Sequence, residues 1–316
     1  MLSRRHARVK VLQALYAYKL SENHEYHLAE KQLNHSIEKV FDMVYYQMSL
    51  LFKIKDVASK TIEEGKNKRV PTAQDLNPNM RFVDNVFLQQ LESNAGLQQI
   101  FEKRSINWNN DSNIPKNIYK KFRSSALYKS YMADETSSFE NDKAIILKLL
   151  KKFVYTHRAL FDFYEDSSIF WVSDYEYATF ILIKILQSLN EHEPGTYSFT
   201  NSTDDEIKDV ISFSRTLLKK TILKGKNFTE IIALHAQNWE MERIALMDNL
   251  IMQMALTELF EFPTIPVKVS LNEYIELSKS YSTPKSNLFI NGILDKITEE
   301  ALADGRIVKK GRGLAG

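Results

Sequence analysis

SLNEYIELSKSYSTPKSNLFINGILDK, residues 270–296, reads as two helices and a sharp joint. Ser270 followed three residues later by Glu273 has the pattern of a capping box, in which each side chain satisfies a free amide of the first turn. It predicts a helix to about Ser280. Thr283 before Pro284 predicts a second start, with a hydroxyl cap and a proline whose missing N–H costs nothing at the first helical position. That helix runs to about Ala303 and stops before Gly305. Asn291-Gly292 lies within it. Glycine costs about 1 kcal/mol relative to alanine inside a helix, so Gly292 is expected to admit a close backbone, that of the first helix.

Working outward, Pro263 and Pro266 break the chain before this pair. An apolar helix is expected from about Glu240 to Phe260, headed by Trp239, and a short one from Thr229 to Ala236. A third begins at a capping box, Thr203 to Glu206, and ends at Gly225. Five helices in about 100 residues make a compact bundle. Upstream, NEHEPGTYSFTNST (190–203) reads as a linker, with helices expected at 34–60, 81–93, 116–132, 141–165 and 171–189. Trp171 and Trp239 each head an apolar helix, which leaves a decayed duplication open.

The composition fits this. Only 9 Gly and 7 Pro in 316 residues, with 44% apolar residues, predict an all-α protein with a sizeable core. There is no Cys, so disulfides, thiolate zinc and a cysteine nucleophile are excluded. No apolar run approaches a membrane span and no secretory signal is present, so a cytoplasmic protein that uses no membrane is expected.

Charge is distributed unevenly. The chain carries 42 Lys+Arg against 40 Asp+Glu. Its first twenty-one residues nevertheless hold Arg4, Arg5, Arg8, Lys10 and Lys19 and no acid. Helical spacing puts Ala7, Val11, Ala14, Leu15 and Tyr18 on one side, and Arg5, Arg8, Leu12, Tyr16 and Lys19 on the other. A cationic, partly aromatic face suits nucleic acid. A mitochondrial transit peptide or a solvated charge run has the same signature.

Two separated blocks resemble the NusB family of transcription antitermination factors. The first is Arg4-Arg5-His-Ala-Arg8 with Leu12-Gln-Ala-Leu-Tyr16. The second joins Trp239-Glu-Met-Glu-Arg-Ile, Met254-Ala-Leu-Thr-Glu258-Leu, Ile265-Pro-Val-Lys268-Val, Leu271-Asn-Glu273-Tyr-Ile-Glu276-Leu-Ser-Lys279 and Ser286-Asn-Leu-Phe289-Ile-Asn291-Gly-Ile-Leu-Asp295-Lys296. The resemblance implies a NusB-like helical bundle with an additional helical insertion. Residues 1–24 would be its first helix, 25–202 the insertion of unknown role, 203–304 the C-terminal bundle and 305–316 a flexible basic tail.

It further implies binding of boxA-like single-stranded RNA of ribosomal RNA leaders, together with the small-subunit ribosomal protein NusE. The complex would join the RNA polymerase elongation complex. Arg4, Arg5, Arg8 and Lys10 are the expected phosphate contacts, and Lys279, Lys285, Ser286 and Phe289 the RNA-facing junction of the last two helices. Phe289 would stack on a base or belong to the core. Tyr16 and an exposed Glu258 would meet the ribosomal protein.

No enzyme, cofactor or metal is expected. There is no Walker loop, no G-x-S-x-G elbow and no metal-ligand spacing among the seven His. The terminal GRGLAG (311–316) lacks the strand and helix of a dinucleotide site. A second reading makes the chain a protein-interaction scaffold acting through its insertion, with vestigial RNA binding.

Overall fold

The computed structural model describes residues 3–108, 113–134, 136, 138–199, 205–236 and 245–310. Every regular element among them is helical, and none is long and apolar enough to cross a membrane. The chain divides into two compact units: an end unit of residues 2–37 and 204–316, and a central unit of residues 38–203. The expected insertion began at residue 25, whereas the division falls after Ile37, inside a helix.

The end unit contains α1 (Arg4–Leu20), the beginning of α2 (Tyr26–Lys66), α11 (Asp205–His235), α12 (Leu246–Glu261), α13 (Val267–Tyr281) and α14 (Pro284–Ala303). The two distant ends of the chain fold together, with α1 packed on α11 and α12. Ser3 caps α1, accepting from the amide of His6. Most of α12 is buried on every side, including Leu250, Ile251, Met254, Ala255 and Leu256. A helix apolar all round belongs in a core.

Several local expectations give way to tertiary packing. Helix α11 does not stop at Gly225 but continues ten residues to His235. A Cβ on Gly225 would lie 2.7 Å from Oε1 of Gln253, so this glycine leaves room for the Gln253 side chain of α12. No capping box opens α13. The helix starts at Val267, after Pro266, and the hydroxyl of Ser270 donates to Glu258 at 2.7 Å. The start of α14 is as expected: Thr283 accepts from the amide of Ser286 and Pro284 is the first helical residue.

Gly292 also departs from expectation. It is exposed, and a Cβ there would meet nothing within 4 Å, so no packing within the unit offsets the cost of glycine. Gly292→Ala should therefore raise unfolding stability by about 1 kcal/mol, seen as a higher urea midpoint at unchanged slope.

The stretch after α14 is no loose tail as far as residue 310. Gly305 takes φ +75°, and the amide of Ile307 returns to the carbonyl of Ala301 at 2.9 Å. Ile307 is buried. Lys309 donates to the carbonyls of Glu258 and Phe262, closing the C-terminal end of α12. Residues 311–316, the capping box at Thr203 and Trp239 lie outside the described residues.

The central unit contains the rest of α2, then α3 (Ala73–Leu76), α4 (Val86–Glu92), α5 (Ala95–Lys103), α6 (Asn113–Ser124), α7 (Ala126–Ala133), α8 (Phe139–Leu149), α9 (Arg158–Ser167) and α10 (Tyr175–Ser188). The expected helix at 116–132 is two: Ser125 is extended and caps α7 from its hydroxyl. The expected helix at 141–165 is interrupted by a π-helical turn, Leu150–Val154. Trp171 precedes α10 rather than heading it, and its indole donates to the carbonyl of Lys39 at 2.6 Å. Trp171, Tyr46, Tyr164, Phe163 and Trp108 pack edge-to-face or tilted in one aromatic cluster. Such pairs add about 0.5–1.5 kcal/mol each beyond burial.

Candidate nucleic-acid interface

The arginines of α1 are drawn toward carboxylates of the end unit. Arg4 pairs with Asp209 at 2.9 Å, and both side chains are largely exposed. Arg5 grips Glu273 with two hydrogen bonds, at 3.0 and 2.7 Å, yet its side chain is 63% exposed. Hydrogen bonding from Arg5 holds the carboxyl of Glu273 below its ordinary pKa, against the opposing effect of burial.

Arg8 is buried. Its Nε and Nη2 reach Glu258 at 2.8 and 2.6 Å, and Nη1 reaches Glu273 at 3.4 Å. Its guanidinium also lies over the rings of Phe213 and Tyr274, at 5.3 and 5.7 Å. Burial, the largest single influence, would lower the pKa of Arg8, but Glu258, Tyr274 and Glu273 together outweigh it and the net shift is upward. Lys10 is fully buried. The face of α1 read as solvent-facing therefore includes Arg8 and Leu12 in the core, because α11, α12 and α13 enclose the helix. Arg8 and Lys10 are corrected from exposed phosphate contacts to interior residues.

Glu258 is likewise corrected. It is fully buried rather than partner-facing. Its four acceptor positions are filled: Arg8 and Ser270 on Oε1, Arg8 and Tyr274 on Oε2. Tyr16 is 37% exposed and does not share a surface with it.

At the other joint, Lys279 and Lys285 are exposed, and Lys279 pairs with Glu276 on its own helix. Ser286 is half-buried, its hydroxyl hydrogen-bonded to Thr283. Phe289 is 8% exposed and belongs to the core, while its neighbour Leu288 is 77% exposed. Sequence periodicity assigned no role to Leu288.

Two cross-helix contacts fix the geometry. Arg5 meets Glu273, and the Gln13 amide meets Tyr281 at 3.4 Å. Eight residues separate the partners on each helix, so α1 and α13 run parallel. The Arg4–Arg5 end and the Lys285 end are thus at least about 12 Å apart along the pair. The surviving cations are exposed but spread over α1, α13 and α14 and do not form one cluster.

The sequence pattern described as the NusB family matches residues 176–299. Transcription antitermination protein NusB of Salinibacter ruber is 39% identical over 130 residues, which is 41% of this chain and 81% of that protein. The chain belongs to the NusB family. A relative of the same description in Chloroherpeton thalassium is 39% identical over 113 residues, 35% of this chain and 54% of that protein. In Thermodesulfovibrio yellowstonii another is 34% identical over 107 residues, 34% of this chain and 71% of that protein. No solved structure matches.

The NusB match begins at residue 176, in α10, inside the segment read from sequence as insertion. It covers all of α12 and α13 and most of α14, hence Glu258, Glu273, Lys279 and Lys285. Arg4, Arg5, Arg8 and Tyr16 fall outside that span and are joined to it by the Arg5–Glu273 and Arg8–Glu258 bonds.

Proposed function

We propose that this chain is an RNA-binding transcription antitermination factor. Its end unit takes boxA-like single-stranded RNA together with the ribosomal protein NusE, and the complex acts with elongating RNA polymerase on ribosomal RNA operons. The observation that supports this is that Arg4, Arg5, Lys279 and Lys285 are exposed in a bundle in which α1 packs against the NusB-matching helices. Weak exposed ion pairs do not prevent these side chains from reaching phosphate, since such pairs contribute about 0–1 kcal/mol. Arg8, Lys10, Glu258 and Phe289 serve by holding the helices in place.

A gel shift with boxA RNA, with and without the ribosomal protein, tests the reading. Arg4→Ala/Arg5→Ala/Lys285→Ala should lose at least tenfold in affinity with its helical signal intact. Each lost phosphate contact should also make the salt dependence shallower by about 0.7. No shift by wild type at low salt, with the partner present, overturns it.

A further inference from the structure

Between Asn113 and Ala133 the chain has Lys116, Lys120, Lys121, Arg123 and Lys129 and no acid. These residues belong to α6 and α7 of the central unit. Helix α6 buries Ile114, Ile118, Tyr119 and Phe122, which turns its cations outward on the remaining face. All five are exposed, as is Lys60 on α2.

The surface there is concave. An open depression of about 950 Å³ is lined by Lys60, Lys116, Lys120, Arg123 and Lys129, with Glu64 as its single carboxylate. A second, of about 530 Å³, adjoins it through the shared residues Lys120 and Ser124 and adds Lys121 and Arg158. Together they form a track along a helix about 18 Å long.

Several other cations of this unit find acids. Lys39 and Arg104 pair with Asp42, Lys53 with Asp56, Lys55 with Glu92 and Arg158 with Asp162. Among the described residues, none of the six cations at Lys60, Lys116, Lys120, Lys121, Arg123 and Lys129 makes such a pair. An ordinary solvated helix face intersperses both signs; this one gathers a single sign, an arrangement that a polyanion complements. The neighbouring His157 feels it. Burial and the charge of Lys121 lower its pKa.

We infer that the central unit carries a second RNA-binding surface, a track along α6 that holds the phosphate backbone of single-stranded RNA without reading its sequence. The length of the track and its two joined depressions suit a polyanion rather than one ion. Tyr119, the only aromatic lining the larger depression, is 4% exposed, so no platform for base stacking is offered and contacts go to phosphate. None of the exposed large apolar side chains lines the track, which disfavours insertion into a lipid surface. This goes beyond the function proposed above, which uses only the end unit.

The test uses the full chain and a fluorescent 20-residue oligouridylate, which lacks boxA. Fluorescence anisotropy across a salt series is expected to show binding that weakens steeply with salt. Lys116→Gln/Lys120→Gln/Arg123→Gln/Lys129→Gln should bind at least tenfold more weakly, with a log–log salt slope shallower by about 3, from four phosphates at about 0.7 each. These side chains are exposed, so the variant should melt no lower than wild type, and its boxA shift with the ribosomal protein should persist.

The Arg4→Ala/Arg5→Ala/Lys285→Ala protein should do the reverse, keeping most oligouridylate binding. Failure of the boxA reading and failure of this one are therefore seen in different variants. Equal oligouridylate affinity in the quadruple variant and wild type overturns the inference. So does absence of binding by wild type, or displacement of the RNA by inorganic phosphate at the same phosphate concentration.

Discussion

Glu258→Ala is expected to destabilise the end unit by about 3–5 kcal/mol, the cost of leaving one member of a buried ion pair without its partner. That is a large part of the 5–15 kcal/mol that ordinarily separates folded from unfolded protein. The substitution leaves Arg8, a 4%-exposed guanidinium, with only its 3.4 Å contact to Glu273, and removes the acceptor for the hydroxyls of Ser270 and Tyr274. Three helices meet at this carboxylate: α1 through Arg8, α12 which bears it, and α13 through Ser270 and Tyr274. Arg8→Ala should cost nearly as much for the converse reason. The two losses should not add. Arg8→Ala/Glu258→Ala should be more stable than the sum of its parts by at least about 2 kcal/mol in a double-mutant cycle followed by urea denaturation. Additive losses would contradict the bidentate pair. In function, a Glu258 variant that failed to bind a partner would be reporting a loosened bundle. Unchanged melting together with lost partner binding would contradict the burial of this residue.

Much of the architecture could be read from residues whose signal is local. Thr283 and Pro284 define the start of α14 because a hydroxyl cap and a fixed φ act within one turn. The scarcity of Gly and Pro predicts helices throughout, and among the described residues no strand occurs. Two of the misreadings share one cause, which is that the competing partner sits on another helix. Ser270 and Glu273 have the spacing of a capping box, but Glu258 and Arg5 offer them charged partners, and charge-assisted bonds are about twice as strong as neutral ones. Gly225 has the chemistry of a helix stop, yet its use depends on where Gln253 crosses. Gly292 has the chemistry of a packing contact and no neighbour to pack against.

The burial of Glu258 did leave a sequence signal. Helix α12 is apolar on all sides, and a charge inside such a helix requires an opposite charge. An acid-free first helix rich in arginine is a natural supplier. The track on α6 was readable in the same way, as five cations without an acid, but only the fold shows that they share one concave face.

In the central unit, Asp142→Ala should cost about 2–4 kcal/mol. Asp142 is on α8 and is 1% exposed. Its Oδ2 accepts the amide of Val86 at 2.7 Å, so it caps α4 from a different helix. Its Oδ1 accepts the hydroxyl of Tyr131, on α7, at 2.8 Å. Burial and the Asp142 carboxylate push the pKa of Tyr131 up, which keeps that hydroxyl protonated and donating. Asn85 completes the knot. Its amide donates to the carbonyl of Asp142 at 3.1 Å, while its own Oδ1 caps α4 at Leu88. Removing the carboxylate takes the acceptor from the backbone N–H of Val86 and leaves the Tyr131 phenol only the Arg81 carbonyl at 3.3 Å, at about 1–3 kcal/mol for each buried group left unsatisfied. Asp142→Asn keeps one acceptor oxygen and gives up the charge, so it should lose roughly half as much. The ordering Ala below Asn below wild type, in unfolding midpoint, is the expected result. Because α7 also bears Lys129, the alanine variant should weaken oligouridylate binding as well, although it removes no cation. An unfolding midpoint equal to wild type in Asp142→Ala would mean that α4, α7 and α8 are not joined through this carboxylate.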